Sequence, residues 1–196
     1  MIVAGLLLTV ASFTAIGKAQ RWDEADSMAI ESRKPIRKAG MILSVVGLAF
    51  LTAATPALAA KVYGFSGYKL ILMGWLIFTI SVCLFLMVVG IISIVMPAFG
   101  DYIVQNHTSV QKFVNGFIEQ PSIMMAFIGG NLLFLSWIPI GMGIIRSGLF
   151  PGWLGWLIAG AGLSAWLKFL HVPVFQEYGG QIWPVSIVLL GIFLIR

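Results

Sequence analysis

Charge is scarce in this chain, and almost none of it falls where the chain is most apolar. Asp, Glu, Lys and Arg make up 10% of the 196 residues, against roughly 25% in an ordinary soluble domain. Cysteine occurs once and histidine twice. The lone Cys83 excludes a disulfide within the chain, and inside an apolar run it reads as a small buried hydrophobe. Neither His107 nor His171 falls in the middle of an apolar run, so paired ligands at matching depth for a b-type haem are missing. The runs also lack ionisable residues at mid-span. Proton-coupled transport and intramembrane hydrolysis need titratable groups at depth, so this emptiness argues against both.

What remains is apolar. Hydrophobic residues make up 60% of the chain, and the mean hydropathy is +1.01. Six runs stand out, over about residues 1–17, 39–60, 68–96, 122–145, 153–170 and 182–195. A hydrocarbon core about 30 Å thick takes roughly 20 apolar helical residues. The expected fold is therefore all-α, a polytopic transmembrane bundle of six spans occupying 1–196 as one domain. The first run begins at Met1 with no basic residue before it, so it reads as an uncleaved helix and not as a secretory signal. The third run is long enough that it must tilt or protrude, and Pro97 and Gly100 are expected to stop it. Pro139, inside the fourth, predicts a kink.

The net charge of +5 is local. Six of the twelve basic residues, Lys18, Arg21, Arg33, Lys34, Arg37 and Lys38, lie between the first two runs. That is the placement of a topology signal, not of a nucleic-acid surface. It puts residues 18–38 in the cytoplasm and the N-terminus outside. By alternation residues 101–120 and 171–181 are cytoplasmic, and residues 61–69 and 146–152, with Lys61, Lys69 and Arg146, are external. Trp22, Ala25 and Met28 recur at i+3 and predict a short surface helix over 21–32. Within 101–120, Ile103, Val104, Val110, Phe113, Val114, Phe117 and Ile118 alternate with polar residues at helical spacing. This predicts an amphipathic helix lying in the interface.

Membrane helices associate by close approach through small residues. Ala49, Ala53 and Ala57 repeat every four residues in the second run, and Gly155 with Ala159 and Gly160 with Ser164 do so in the fifth. Tight packing within the bundle is the expected use, and a dimer face is the alternative. Asn131 is the strongest polar group inside a run and is expected to bridge two helices. With Pro139, Gly141 and Gly143 it also marks a candidate pocket for a small apolar molecule. Trp75, Trp153, Trp156, Trp166, Trp183, Tyr63, Tyr68 and Tyr178 fall mostly near span ends, as an aromatic belt would. His107, His171, Asp101, Glu119 and Glu177 share the expected cytoplasmic side. They form the only candidate metal or proton-relay set, but no two have ligand spacing, and solvated loop residues are the expected reading.

The run Ile140-Gly141-Met142-Gly143-Ile144-Ile145-Arg146-Ser147-Gly148-Leu149-Phe150-Pro151-Gly152-Trp153-Leu154-Gly155-Trp156-Leu157 resembles one hairpin of a bacterial multi-pass family catalogued as a domain of unknown function, number 4386. The shared features are a helix ending in Arg-Ser-Gly, a proline, and a Trp-Leu-Gly opening the next helix, within about residues 131–165. The resemblance implies an inner-membrane bundle and brings no activity or site residues. Three functions are expected, in this order. The first is a non-catalytic subunit packed against other membrane proteins. The second is a binder or carrier of a small apolar molecule or lipid, and the third a membrane enzyme or metal protein built on the His/carboxylate set. No cofactor is expected; membrane lipids are expected partners, one of them as a bound molecule, and nucleic acid is not.

Overall fold

The computed structural model describes residues 1–14, 29–30, 32–106, 121–169, 175 and 179–195. Among them the chain forms seven helices and no strand: α1 (Ile2–Thr14), α2 (Pro35–Lys61), α3 (Tyr68–Asn106), α4 (Pro121–Leu135), α5 (Trp137–Ser147), α6 (Gly152–Phe169) and α7 (Gly179–Ile195). Local chemistry explains the boundaries. Pro35 opens α2 where a missing N–H costs nothing. Gly148, at φ 66°, closes α5 in the left-handed conformation that glycine adopts without penalty. The Ser147 hydroxyl donates to the Ile144 carbonyl at 2.7 Å and accepts from the Leu149 N–H, tightening the same turn.

Pro35–Lys61, Tyr68–Leu86 and Ile128–Ser147 are long and apolar enough to cross a membrane. Ile2–Phe13, Gly152–Leu167 and Gln181–Ile195 are apolar but shorter, reaching about 18–24 Å at 1.5 Å per residue. Of the six expected spans, three are thus present at full length among the described residues.

One expectation about proline needs correcting, and another is met a turn early. Pro97 and Gly100 do not stop the third helix, which runs unbroken through both to Asn106. One missing N–H removes a single backbone bond, and Gly100 serves packing instead: a Cβ there would lie 2.8 Å from Arg33 Cδ. The fourth run divides at Ser136, a helical turn before Pro139. Proline has no N–H for the carbonyl four residues back and crowds it, so α4 ends there and Pro139 sits in the first turn of α5. The amphipathic helix expected over 101–120 is seen only as residues 101–106, which continue α3; the rest lies outside the described residues, as does most of the helix expected over 21–32.

The helices close into a ring. α1 lies against α2 and α7, α2 against α3, α3 against α4 and α5, and α6 against α4, α5 and α7. Glycines allow close approach: a Cβ on Gly67 would run into the Gly143 carbonyl, one on Gly141 would lie 2.5 Å from the Gly155 carbonyl, and one on Gly155 2.6 Å from the Gly141 carbonyl. Inside the ring, Trp137 stands edge-on to Phe78 of α3 at 5.5 Å and to Trp183 of α7 at 5.8 Å, and Trp183 to Phe134 of α4 at 5.4 Å. Buried Ser44, Thr55, Ser81, Ser136, Ser164 and Ser186 each donate to a carbonyl three or four residues earlier in their own helix. Each of these bonds satisfies a hydroxyl donor within its own stretch of helix.

The helix ends sort into two sets. Ser66 Oγ donates to the Arg146 carbonyl at 2.6 Å, and Lys61 Nζ to the Leu194 carbonyl at 2.7 Å. Gly191 of α7 lies beside Met1 and Ile2. The α2–α3 turn, the α5–α6 turn, the start of α1 and the end of α7 therefore meet at one end, called the turn end below. At the other, Arg33 Nε lies 2.6 Å from the Asp101 carboxylate.

Candidate functional site

At the turn end, α2 and α3 diverge enough to leave a groove of 480 Å³ lined by Pro56, Ala59, Ala60, Tyr63, Tyr68, Leu72 and Trp75. The sequence explains the opening. α2 contributes alanines and a proline where larger residues would fill the gap, while α3 contributes Tyr68, Leu72 and Trp75, spaced along one face by four and three residues. Across the mouth, Tyr63 and Tyr68 stand edge to face, ring centres 5.2 Å apart. Tyr63 is 72% exposed. Deeper in the wall, the Trp75 indole nitrogen is buried without an acceptor, as are those of Trp137 and Trp183 in the core, a state that costs about 1–3 kcal/mol. The volume lies within the roughly 300–1,000 Å³ of small-molecule sites, and the chemistry is that of an amphiphile's home: apolar walls with polar groups at one mouth.

Among the described residues the charged side chains at this end are all basic. Lys61, Lys69 and Arg146 belong to it, and Lys61 also lies over the Phe150 ring at 5.8 Å. Lys69, one residue beyond the groove-lining Tyr68, is exposed. The only carboxylate side chain among the described residues, Asp101, is at the far end and paired with Arg33.

The residues singled out from sequence are not gathered in one place. Asn131 Oδ1 accepts from Trp166 Nε1 at 2.9 Å, tying α4 to α6. Gly141 faces α6 and Gly143 faces α3, where a Cβ would lie 2.6 Å from Ile71 Cγ1. Those two are thus filled by neighbouring helices and do not join Asn131 and Pro139 around one cavity. Gly155 and Ala159 are buried against α5. Ser164 is buried, whereas Gly160 faces outward with no atom within 4 Å of a Cβ built there. Ala49, Ala53 and Ala57 are all exposed, beside the exposed Ile42, Val46 and Phe50. The buried face of α2 is a different one, made by Gly40, Ser44, Gly47, Leu48, Leu51, Thr55, Leu58 and Ala59. Cys83 is exposed, not buried.

Trp153 and Trp156, like Tyr63, are exposed as a belt requires, but Trp183 is a core residue held by Trp137 and Phe134. Of the proposed His/carboxylate set only Asp101 is described; His107, His171, Glu119 and Glu177 lie outside the described residues. Among the described residues no three His, Cys, Asp or Glu side chains converge. The groove itself escaped sequence reasoning. Its signal was present in Tyr63, Tyr68 and Trp75, but as belt residues, because the gap exists only once two helices are paired.

No protein-family model, no curated protein and no solved structure matches this chain.

Proposed function

We propose that the protein is a six-span membrane protein that holds a lipid or similar apolar molecule in the lateral groove between α2 and α3. The orientation we favour keeps residues 18–38 in the cytoplasm and the turn end outside, with the chain in a bacterial inner membrane, in line with the hairpin resemblance. The observation that carries this reading is the aromatic-mouthed, apolar-walled groove. It raises lipid binding above the subunit role that the sequence alone placed first. The test is retention of lipid by the full chain after exhaustive detergent washing, in wild type and in Ala60→Phe. Ala60 is exposed at the rim, so a phenyl group there obstructs the groove without entering the core. Wild type is expected to keep about one lipid per chain that the variant loses; equal lipid content in both would defeat the reading.

A second reading, a subunit packed against another membrane protein, is favoured by the outward Ala49, Ala53 and Ala57 face, which would let a partner helix approach closely. Isolation from native membranes tests it. A partner that co-purifies with wild type and is lost in Ala53→Leu supports it, and isolation of the chain alone counts against it.

A further inference from the structure

We infer that the occupant of the groove is an anionic phospholipid, its phosphate held at Lys69 and the Tyr63/Tyr68 mouth and one acyl chain laid along Pro56, Ala60, Leu72 and Trp75. This rests on the groove being a lipid site and specifies which lipid. Charge carries the argument. Lys61 is engaged by the Leu194 carbonyl and the Phe150 ring. Lys69 is exposed beside the mouth and has no side-chain partner among the described residues. No acidic side chain falls within residues 61–69 or 146–152 to compete for it. A zwitterionic headgroup would bring its own cation to an end that already carries Lys61, Lys69 and Arg146. An anionic one brings none.

The depth of the groove matches the same molecule. Trp75 follows Tyr68 by seven helical residues, about 10 Å further along the axis. Over that length the walls are apolar, Leu72 and Trp75 facing Pro56 and Ala60, which suits an acyl chain. Tyr63 and Tyr68 hydroxyls supply neutral donors at phosphate height, and Lys69 supplies the charge.

The experiment is a titration of the full chain, stripped of lipid in detergent, with phosphatidylglycerol and with phosphatidylcholine of identical acyl chains, read by native mass spectrometry. One lysine beside an anionic headgroup is worth about a fivefold preference. Wild type should therefore bind phosphatidylglycerol about fivefold more tightly, Lys69→Gln should bring the two lipids to parity, and Ala60→Phe should weaken both. Leu72→Trp blocks the groove from the α3 side and should do the same, so one misfolded variant does not decide the matter. Equal binding of the two lipids by wild type, or a preference that survives Lys69→Gln, overturns the anionic assignment while leaving a neutral lipid site standing. Undiminished binding of both lipids by both blocked variants overturns the groove itself, and the assignment falls with it.

Discussion

Two glycines five residues apart on α6 should respond oppositely to the same substitution. A Cβ at Gly155 would lie 2.5 Å from Ile145 Cγ1 and 2.6 Å from the Gly141 carbonyl oxygen. Ordinary contact begins near 3.5 Å, so α5 and α6 would have to separate by about 1 Å at their closest point. One of the two obstacles is backbone and cannot rotate away. Overpacking of this kind costs about 1–3 kcal/mol, against which the helix gains about 0.5–1 kcal/mol from replacing glycine by alanine. Gly155→Ala is therefore expected to destabilise by up to about 2.5 kcal/mol. At Gly160 a new Cβ meets nothing within 4 Å, only the propensity gain remains, and Gly160→Ala should stabilise by about 0.5–1 kcal/mol. Unfolding of each variant in mixed micelles by added denaturing detergent, followed by helical circular dichroism, gives both numbers. The reasoning is refuted if the two variants shift in the same direction, or if Gly155→Ala proves the more stable.

Asn131 and Trp166 form a described side-chain bond between two helices, and a double-mutant cycle of Asn131→Leu and Trp166→Phe should give a coupling of about 0.6–1.7 kcal/mol; strict additivity would remove the bridge from the energetics. The Arg33–Asp101 pair has side chains 38% and 55% exposed, so Asp101→Asn should cost less than about 1 kcal/mol. What cost there is should fade in 1 M salt, where the screening length drops to about 3 Å. A large, salt-insensitive loss would mean that Asp101 does more than pair at a surface.

Sequence legibility followed the physics of the solvent each residue faces. Apolar runs announce helices because lipid leaves no alternative for an unpaired backbone, and the α5–α6 hairpin was readable from Arg146, Gly148 and Pro151. Which side of a helix turns inward was not readable. In water, burial separates apolar from polar residues; here both faces are apolar, so nothing in the sequence distinguishes the inward Gly155 and Ala159 from the outward Ala49, Ala53 and Ala57. Pro97 does not stop its helix, whereas the break due to Pro139 falls one turn earlier, because proline acts on the preceding turn and its effect depends on what the neighbouring helix supports. The groove is a property of the α2–α3 pair, and Trp75 looks the same in sequence whether it belongs to a belt or to a wall.

The continuity of α3 has a mechanical consequence. Its 39 residues make a rod about 58 Å long, running from the groove mouth at Tyr68 to the clasp at Asp101. A rod of that length magnifies angle into distance: tilting it by about 5° carries the far end roughly 5 Å. For an α3 that moves as one body, a wedge between α2 and α3 at the turn end would therefore change the separation of Asp101 from Arg33. A fluorophore pair at the exposed Ile36 and Tyr102, which leaves the clasp intact, tests this: a change in separation when lipid is added would show the coupling, and none would exclude it.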